Sequence, residues 1–405
     1  HNEQGKLPKG TARDYPLFPN RGFMLDVARK FFTMDYLKQY VKILSFYKMN
    51  EFQIHLNDNG FPQFFGDDWN RTYAAFRLES ERFPGLTAKD GSYSKQEFID
   101  LQRMGLEYGV RIIPEIDIPA HSLAFAHYKP EIASRKYGMD HLDLYKKETY
   151  QFVDSLLDEY LSGDNPVFIG DLHIGTDEYN KKEAEQYRYF TDRYLKFVEK
   201  YGKNVRMWGG LKWLPGKTPV KAEGVTVNAW SYDWVDPVVS LQDGYKLINT
   251  CDTYLYIVPA AGYYRDFLDH QWIYEKWSPW IMNRKQTLPE GTPGVLGGMF
   301  AVWNDKCGNG ISEQDVHLRS FPAMQVLAEK LWKGENKNVT YEAFAKLCKT
   351  TPEAPGINLL GKVPAETALT EAGKELSFNG KEAVSTPLQE VGYPYSVEFQ
   401  LCPEK

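Results

Sequence analysis

Short apolar runs alternate with amphipathic stretches along the chain from residue 21 to about 332. The apolar runs are predicted as strands, and the stretches between them repeat apolar residues every three or four positions, as helices do. Thr33 and Ser94 precede two of these stretches and are predicted helix N-caps. Eight runs are predicted strands, at 22–27, 51–56, 111–116, 167–174, 205–208, 225–230, 246–249 and 297–303. This pattern predicts an α/β fold, a closed (β/α)8 barrel of the TIM type.

The same pattern divides the chain into three regions. Residues 1–20, with three prolines, are predicted as an irregular N-terminal arm, and 21–335 as the barrel. The region 336–405 is predicted to be a linker followed by a partial, β-rich C-terminal module, because 350–362 is rich in proline and glycine and 375–401 alternates polar and apolar residues. About 40 residues are too few for a sandwich, so this short extension is expected to be truncated or to pack on the barrel.

Charge and cysteine content narrow the possible functions. The chain has 48 Lys and Arg against 54 Asp and Glu, a net charge of −6, so nucleic acid is not an expected partner. Its four cysteines show no C-x-x-C spacing, which signals neither a disulfide framework nor a cysteine metal site. No apolar run is long enough for a transmembrane segment, and we expect the chain as given to lack a signal peptide.

Aromatic residues make up 15% of the chain and gather in one of two long connections, 57–93 and 250–294. Long loops after barrel strands commonly build sites, and sugar rings stack on aromatic side chains. An aromatic-rich core or a protein interface would give the same composition. The second connection carries the tyrosines and tryptophans Tyr254, Tyr256, Tyr263, Tyr264, Trp272, Tyr274, Trp277 and Trp280.

Two adjacent acids, Asp177 and Glu178, follow the predicted fourth strand. A lone pair of this kind is most often a loop start or a helix cap, but at the mouth of a barrel it suits the acid and base of glycoside hydrolysis. Ordinary glycosidases need two carboxylates on opposite sides of the sugar, whereas adjacent acids approach from one side. Either Asp252 or Asp305 supplies a nucleophile, or the carbonyl oxygen of a substrate's own 2-acetamido group does.

A metal site is a further alternative, because three predicted strands are followed by or end in His55, His121 and His173. Metal-dependent barrel hydrolases of this kind carry a His-x-His pair on the first strand. This chain has Leu25, Asp26 and Val27 there instead. We therefore expect no metal and no cofactor.

Five motifs occur in order along the chain: RGFMLDVAR at 21–29, HLND at 55–58, RFPGLT at 82–87, PEIDIPAHS at 114–122 and HIGTDE at 173–178. In this combination the chain resembles glycoside hydrolase family 20, the β-N-acetylhexosaminidases, over about 20–333. The resemblance implies retaining, substrate-assisted hydrolysis of terminal, non-reducing β-linked N-acetylhexosamine. The expected partner is a glycan or glycoconjugate.

The resemblance also implies residue roles. Glu178 would be the general acid and base, Asp177 would orient the acetamido group, and Tyr254 would donate to the acetamido oxygen. The other expected substrate-binding residues are Trp208, Trp230 and Trp303 around the acetamido methyl and the sugar face, Arg21 on the 3- and 4-hydroxyls, His121 with Asp58 as a relay behind the acid, and His173, Tyr256 and Asp305.

Three positions depart from the family's pattern. Asp305 stands where a glutamate is common, so the carboxylate expected on the 4-hydroxyl is one methylene shorter. Tyr256 stands where an aspartate often follows Tyr-Leu, and Gly209 and Gly210 replace an acidic position after Trp208, which opens the subsite beyond the cleavage point. A small α/β domain that often precedes the family's barrel is expected to be missing.

These departures leave three functions open. The chain could release GlcNAc or GalNAc, release a disaccharide as lacto-N-biosidase-like members do, or bind glycans without catalysis. Glycan hydrolysis suggests an exported enzyme, in the periplasm, at the cell surface or secreted.

Overall fold

A computed structural model describes residues 10–11 and 13–363 and, beyond them, 369, 376–377, 381, 383, 385–388, 391–392 and 396–398. Its centre is a barrel of eight parallel strands in which each strand pairs with the next and the last pairs with the first. This confirms the predicted (β/α)8 fold. The strands are β1 Asn20–Asp26, β2 Glu51–His55, β3 Arg111–Ile118, β4 Leu172–Gly175, β5 Val205–Trp208, β6 Val225–Ala229, β7 Lys246–Asn249 and β8 Val295–Val302.

Helices surround the barrel and lie in the connections between its strands. The predicted caps form: Thr33 accepts a hydrogen bond from the backbone N–H of Tyr36, and Ser94 forms a capping box with Glu97. The helices are α1 Met34–Phe46, α2 Lys95–Glu107, α3 Leu123–Tyr128, α4 Lys147–Leu161, α5 Ala184–Glu199, α6 Pro237–Gln242, α7 Asp252–Leu255, α8 His270–Glu275, α9 Glu313–Lys333 and α10 Tyr341–Thr350.

The hydrophobic core lies between the outer face of the barrel and these helices, where Leu37, Val41 and Leu44 of α1 are fully buried. The interior of the barrel is polar at the end where the strands begin. Arg206 donates to both oxygens of the fully buried Glu51, at 2.6 and 2.8 Å, so the two charges are paired. Buried charges are tolerated when they are paired and hydrogen-bonded in this way.

The structure departs from the predictions in two places. The fourth strand begins at Leu172, five residues later than predicted, and 167–171 is a loop. The predicted linker contains helix α10. The predicted β-rich segment at 375–401 lies largely outside the described residues. Of the helices described, none is long and apolar enough to cross a membrane.

Candidate active site

The two acids lie on a tight turn directly after β4. Gly175, Thr176 and Glu178 all have positive φ, at 67°, 72° and 49°. A side chain at Gly175 would place its Cβ 1.6 Å from Asp117 Oδ1, so this position needs glycine. Positive φ is strained for Thr176 and Glu178, and such strain persists only where the surroundings hold it. The Thr176 N–H donates to the carbonyl of Ile118 at 3.0 Å.

A histidine joins the two acids to a buried aspartate. His121 Nε2 lies 3.2 Å from Glu178 Oε2 and 3.7 Å from Asp177 Oδ2, and His121 Nδ1 lies 2.9 Å from Asp58 Oδ1. His55 Nε2 contacts the other oxygen of Asp58 at 2.6 Å. The structure thus brings together the expected relay of Asp58 and His121 behind the acids.

These contacts shift the pKa values of the two acids in opposite directions. Burial raises the pKa of Asp177 to about 6, against the opposing effect of His121, and the charge of Glu178 adds to the rise. Loss of hydration raises the pKa of Glu178, but His121 outweighs it and the net shift is downward. Burial also raises the pKa of Asp117, and the charge of Asp177 raises it further.

Aromatic side chains wall the mouth beside the acids. The Trp208 and Trp303 rings lie 5.6 Å apart, and Tyr256 lies 5.7 Å from Trp303. Trp208 Nε1 donates to Glu115 Oε1 at 2.6 Å, and Trp230 Nε1 donates to the carbonyl of Gly209 at 2.8 Å. All four aromatic side chains are at least nine-tenths buried, so the wall is rigid.

Arg21 lies at the start of β1, at the opposite end of the barrel from the two acids. Its guanidinium donates to the carbonyls of Phe18 and Lys48, both at 2.7 Å, and lies over the Trp332 ring. The seven residues of β1 span roughly 20 Å, so a sugar held by the acids cannot reach Arg21. The expectation that Arg21 grips the sugar hydroxyls is therefore wrong.

Arg29, which the sequence reasoning passed over, lies at the mouth instead. Its guanidinium nitrogens lie 3.2 Å from Asp26, 2.9 Å from Asp58 and 3.3 Å from Asp305. Tyr263 donates to the second oxygen of Asp305 at 2.8 Å. Arg29 follows the end of β1 by three residues, and because barrel sites form at the carboxyl ends of strands, that position was the signal that could have identified it.

Of the two tyrosines in the Tyr-Leu-Tyr run, only Tyr256 faces the acids. Tyr254 belongs to the single turn α7 and stacks on Trp272, with ring centroids 4.3 Å apart. Tyr256 begins a two-residue strand, Tyr256–Ile257, that pairs with the mouth end of β8. Burial raises the pKa of Tyr256, and so do nearby negative groups that include both acids. The structure therefore corrects the role expected for Tyr254 in favour of Tyr256.

His173 lies beneath the site rather than in it. Its side chain is fully buried, its Nδ1 accepts a hydrogen bond from the Gly175 N–H at 3.1 Å, and its ring packs against Trp208 at 5.0 Å. Burial lowers the pKa of His173 to about 4, so it is neutral at ordinary pH. It supports the turn and the wall and cannot contact a substrate, which corrects its predicted substrate-binding role.

Two further residues that the sequence analysis gave no role, His141 and Asn57 of the HLND motif, hold the backbone around the acids. His141 Nε2 lies 3.2 Å from the carbonyl oxygen of Glu178. The Asn57 side chain donates to the carbonyls of Asp117 and His121, at 2.8 and 3.0 Å. Both hold backbone that carries a site residue, and both lie in short strands, Asn57–Asn59 and Gly138–Leu142, in the connections after β2 and β3.

Two groups among the described residues have the spacing of a metal site: His55 with Glu115 and Asp117, and Asp117 with His121 and Asp177. In the first, both ring nitrogens of His55 already contact carboxylates, at 2.6 and 3.0 Å. In the second, His121 Nδ1 contacts Asp58. A metal in either group would compete with the relay.

Comparison with known proteins identifies the family. The sequence model of the glycosyl hydrolase family 20 catalytic domain matches residues 18–335. The β-hexosaminidase subunit B2 of Dictyostelium discoideum is 27% identical, over 82% of this chain and 60% of its own, and the β-hexosaminidase of Akkermansia muciniphila is 28% identical, over 55% and 50%. The chain thus spans about half to three-fifths of the length of these curated relatives.

Solved structures share the fold. The β-N-acetylhexosaminidase of Bacteroides fragilis superposes with a TM-score of 0.65 at 22% identity, covering 83% of this chain and 70% of that one. Dispersin B superposes with a TM-score of 0.60 at 20% identity, covering 77% of this chain and 99% of that one. The match of the family model over most of the chain, together with this barrel, shows that the chain belongs to glycosyl hydrolase family 20.

Proposed function

We propose that this chain is a β-N-acetylhexosaminidase that releases terminal, non-reducing β-linked N-acetylhexosamine from glycans with retention of configuration. In this proposal the carbonyl oxygen of the substrate's 2-acetamido group attacks the anomeric carbon and forms an oxazolinium ion. The observation that carries it is the joint contact of His121 with Glu178 and Asp177, which makes the adjacent acids one unit on one side of the sugar.

Each acid then has a task suited to its surroundings. The Glu178 side chain is 47% exposed and can reach the leaving oxygen, and a bound sugar would cover it and favour its protonated form. Asp177 is buried at the floor, where its carboxylate would accept the acetamide N–H and stabilise the positive charge that develops there. Tyr256 would donate its hydroxyl to the acetamide oxygen, and Trp208 and Trp303 would enclose the methyl group.

The two-carboxylate alternative needs a free anion opposite Glu178. Asp252 accepts a hydrogen bond from the Tyr264 hydroxyl at 3.1 Å, and burial raises its pKa. Both oxygens of Asp305 are engaged, one by Arg29 and one by Tyr263. These contacts suit Asp305 to hold a sugar hydroxyl. Because neither Asp252 nor Asp305 is a free anion, they also favour the substrate's own acetamido oxygen as the nucleophile.

The nucleophile can be tested with 4-nitrophenyl β-GlcNAc whose acetyl group carries zero, one, two or three fluorines. Fluorine withdraws electrons from the carbonyl oxygen, so kcat/KM should fall steeply along this series if that oxygen attacks. The first sugar product should be the β-anomer by NMR. A flat series, or trapping of a 2-fluoroglycosyl adduct on Asp252 or Asp305, would replace this proposal with the two-carboxylate mechanism.

One cavity favours a second candidate, the release of a disaccharide. It has a volume of about 300 Å³ and adjoins the Arg29 and Asp305 pair, with Lys30, Lys306 and Asn304 in its lining. A second sugar at the non-reducing end could occupy it. A higher kcat/KM on 4-nitrophenyl β-lacto-N-bioside than on 4-nitrophenyl β-GlcNAc or β-GalNAc would select this candidate. That the enzyme is exported from the cytoplasm stays a prediction.

A further inference from the structure

Three tryptophans form a continuous row of ring contacts from the mouth of the barrel to its surface, which we call the Trp ladder: Trp230, Trp234 and Trp213. Ring centroids lie 5.5 Å apart between Trp230 and Trp234 and 5.2 Å apart between Trp234 and Trp213, at interplanar angles of 30° and 34°. Exposure rises along the ladder, from 7% at Trp230 to 36% at Trp213. The outermost ring, Trp213, is the exposed one, and an exposed indole face suits the apolar face of a sugar ring.

The position of the Trp ladder in the barrel identifies which part of a glycan it would meet. Trp230 directly follows β6, and Trp213 lies in the loop after β5. The order of strands places β5 and β6 across the mouth from β1 and β8, whose ends carry Arg29 and Asp305. If Arg29 and Asp305 hold the non-reducing sugar, the Trp ladder lies on the side by which the leaving group departs.

Three lysines lie near the Trp ladder, one at Trp213 and two at the neighbouring Tyr232. Lys181, three residues after Glu178, places its ammonium 4.7 Å from the Trp213 ring. The ammonium groups of Lys212 and Lys285 lie 3.5 and 4.3 Å from the ring of Tyr232, in the same loop as Trp234. Among the described residues, no ion pair within 4.0 Å involves any of these lysines, and Lys212 Nζ donates a hydrogen bond to the carbonyl of Tyr232.

The charge of this surface opposes that of the whole chain. The loop that carries Trp234 also holds two acids, Asp233 and Asp236, so three lysines against two aspartates leave a net charge of +1 in a chain of net charge −6. Unpaired cations beside stacking faces attract anions and raise the rate of encounter with them.

We propose that the Trp ladder and its three lysines bind the sugars on the reducing side of the scissile bond and select glycans that carry a carboxylate or sulfate there. This inference rests on the proposed function, since it names the leaving group of that reaction. The indole faces supply stacking that is indifferent to charge, and the lysines supply the preference for an acidic sugar.

The test compares acidic substrates with matched neutral ones. A hyaluronan-derived oligosaccharide with a non-reducing GlcNAc carries the carboxylate and is matched by chitotriose, which has the same β-1,4 linkage. GlcNAc β-1,3-linked to galactose 6-sulfate carries the sulfate and is matched by the unsulfated disaccharide. We expect kcat/KM to favour each acidic member by about fivefold at low salt, and the advantage to shrink in about 0.5 M NaCl. The two pairs distinguish a carboxylate from a sulfate as the preferred group.

Variants separate stacking from charge. Lys181→Gln should reduce the preference for the acidic substrates by about threefold and leave the neutral ones unchanged, because it removes one surface charge. Trp213→Ala should lower kcat/KM on all oligosaccharides by about tenfold and on 4-nitrophenyl β-GlcNAc by less than twofold, because it removes one stacking face. Lys200→Gln and Tyr189→Ala, exposed on or just after α5, are the matched controls.

Equal kcat/KM on acidic and neutral substrates, or oligosaccharide rates unchanged by Trp213→Ala, would overturn the inference while the proposed function stands. A protein that fails to hydrolyse 4-nitrophenyl β-GlcNAc would overturn the proposed function instead. In that case calorimetry with the same oligosaccharides tests whether the Trp ladder and its lysines bind acidic sugars. Tighter binding of the acidic member of each pair, weakened by Lys181→Gln, would support the inference, and equal binding of the two members would reject it.

Discussion

Replacement of Asp177 by asparagine tests the mechanism most directly. The Asp177 side chain is buried, with its Oδ2 3.7 Å from His121 Nε2, so asparagine keeps its size and removes its negative charge. An oxazolinium N–H that is hydrogen-bonded to this carboxylate would place its positive charge about 3 to 4 Å from the negative one. At that distance the attraction between two unit charges is roughly 4 kcal/mol at an effective dielectric constant of about 20. The asparagine dipole retains part of this, so we expect kcat/KM to fall by about 10² to 10³.

The pH profile gives a second measure of the same residue. Because burial raises the pKa of Asp177 to about 6, its carboxylate is protonated below that pH and ionised above it. Activity that requires the anion therefore rises through about pH 6 in the wild type. Asp177 and Asp117 interact, so this limb reports the pair rather than one residue. In Asp177→Asn the limb should disappear.

The thermal stability of Asp177→Asn should not fall with its activity. A carboxyl whose pKa is higher in the folded state than in the unfolded state destabilises the fold above its unfolded pKa. Asp177→Asn removes that cost, so its Tm at pH 7 should equal or exceed that of the wild type. The exposed Asp164→Asn is the matched control, with no expected change in rate or Tm. A loss of less than tenfold in kcat/KM, or a limb near pH 6 that persists, would refute the reasoning.

Three further results are expected. Tyr256→Phe should lower kcat/KM by about tenfold or more, since it loses a donor to charge developing on the acetamide oxygen, while Tyr254→Phe should change it by less than about threefold; equal effects would contradict this assignment. Arg29→Gln removes the one arginine that Asp26, Asp58 and Asp305 share and leaves these buried acids without its positive charge, so denaturant unfolding should show a loss of about 3 kcal/mol, whereas an unchanged midpoint would mean that the acids are not charged. Incubation with EDTA should leave activity unchanged, and a loss restored by a divalent cation would revive the metal hypothesis.

Local patterns carried much of the prediction. The alternation of apolar runs and amphipathic stretches determined the barrel, because each strand and helix has its own hydrophobic period. The run HIGTDE identified the acids, because two carboxylates directly after a buried strand need partners that only a site or a cap supplies. The barrel reasoning placed Asp58 and His121 at neighbouring strand ends, and the family resemblance implied their relay; in the structure the two side chains are in contact.

The errors arose where position in space depends on more than distance along the chain. Arg21 and Arg29 belong to one motif, yet the strand between them places them at opposite ends of the barrel. Tyr254 and Tyr256 would share a face in a strand, but Tyr254 lies in a helical turn, and pairing with β8 turns only Tyr256 to the acids.

The sequence by itself determined the barrel, the family resemblance and the two acids of HIGTDE, because all three depend on local pattern and order along the chain. Only the tertiary structure decided that Arg29 and Tyr256 face those acids, that His173 lies beneath them, and that Trp213, Trp234 and Trp230 are in contact. Those contacts join different loops, and the folded backbone alone determines which side chains from separate loops come within reach of each other.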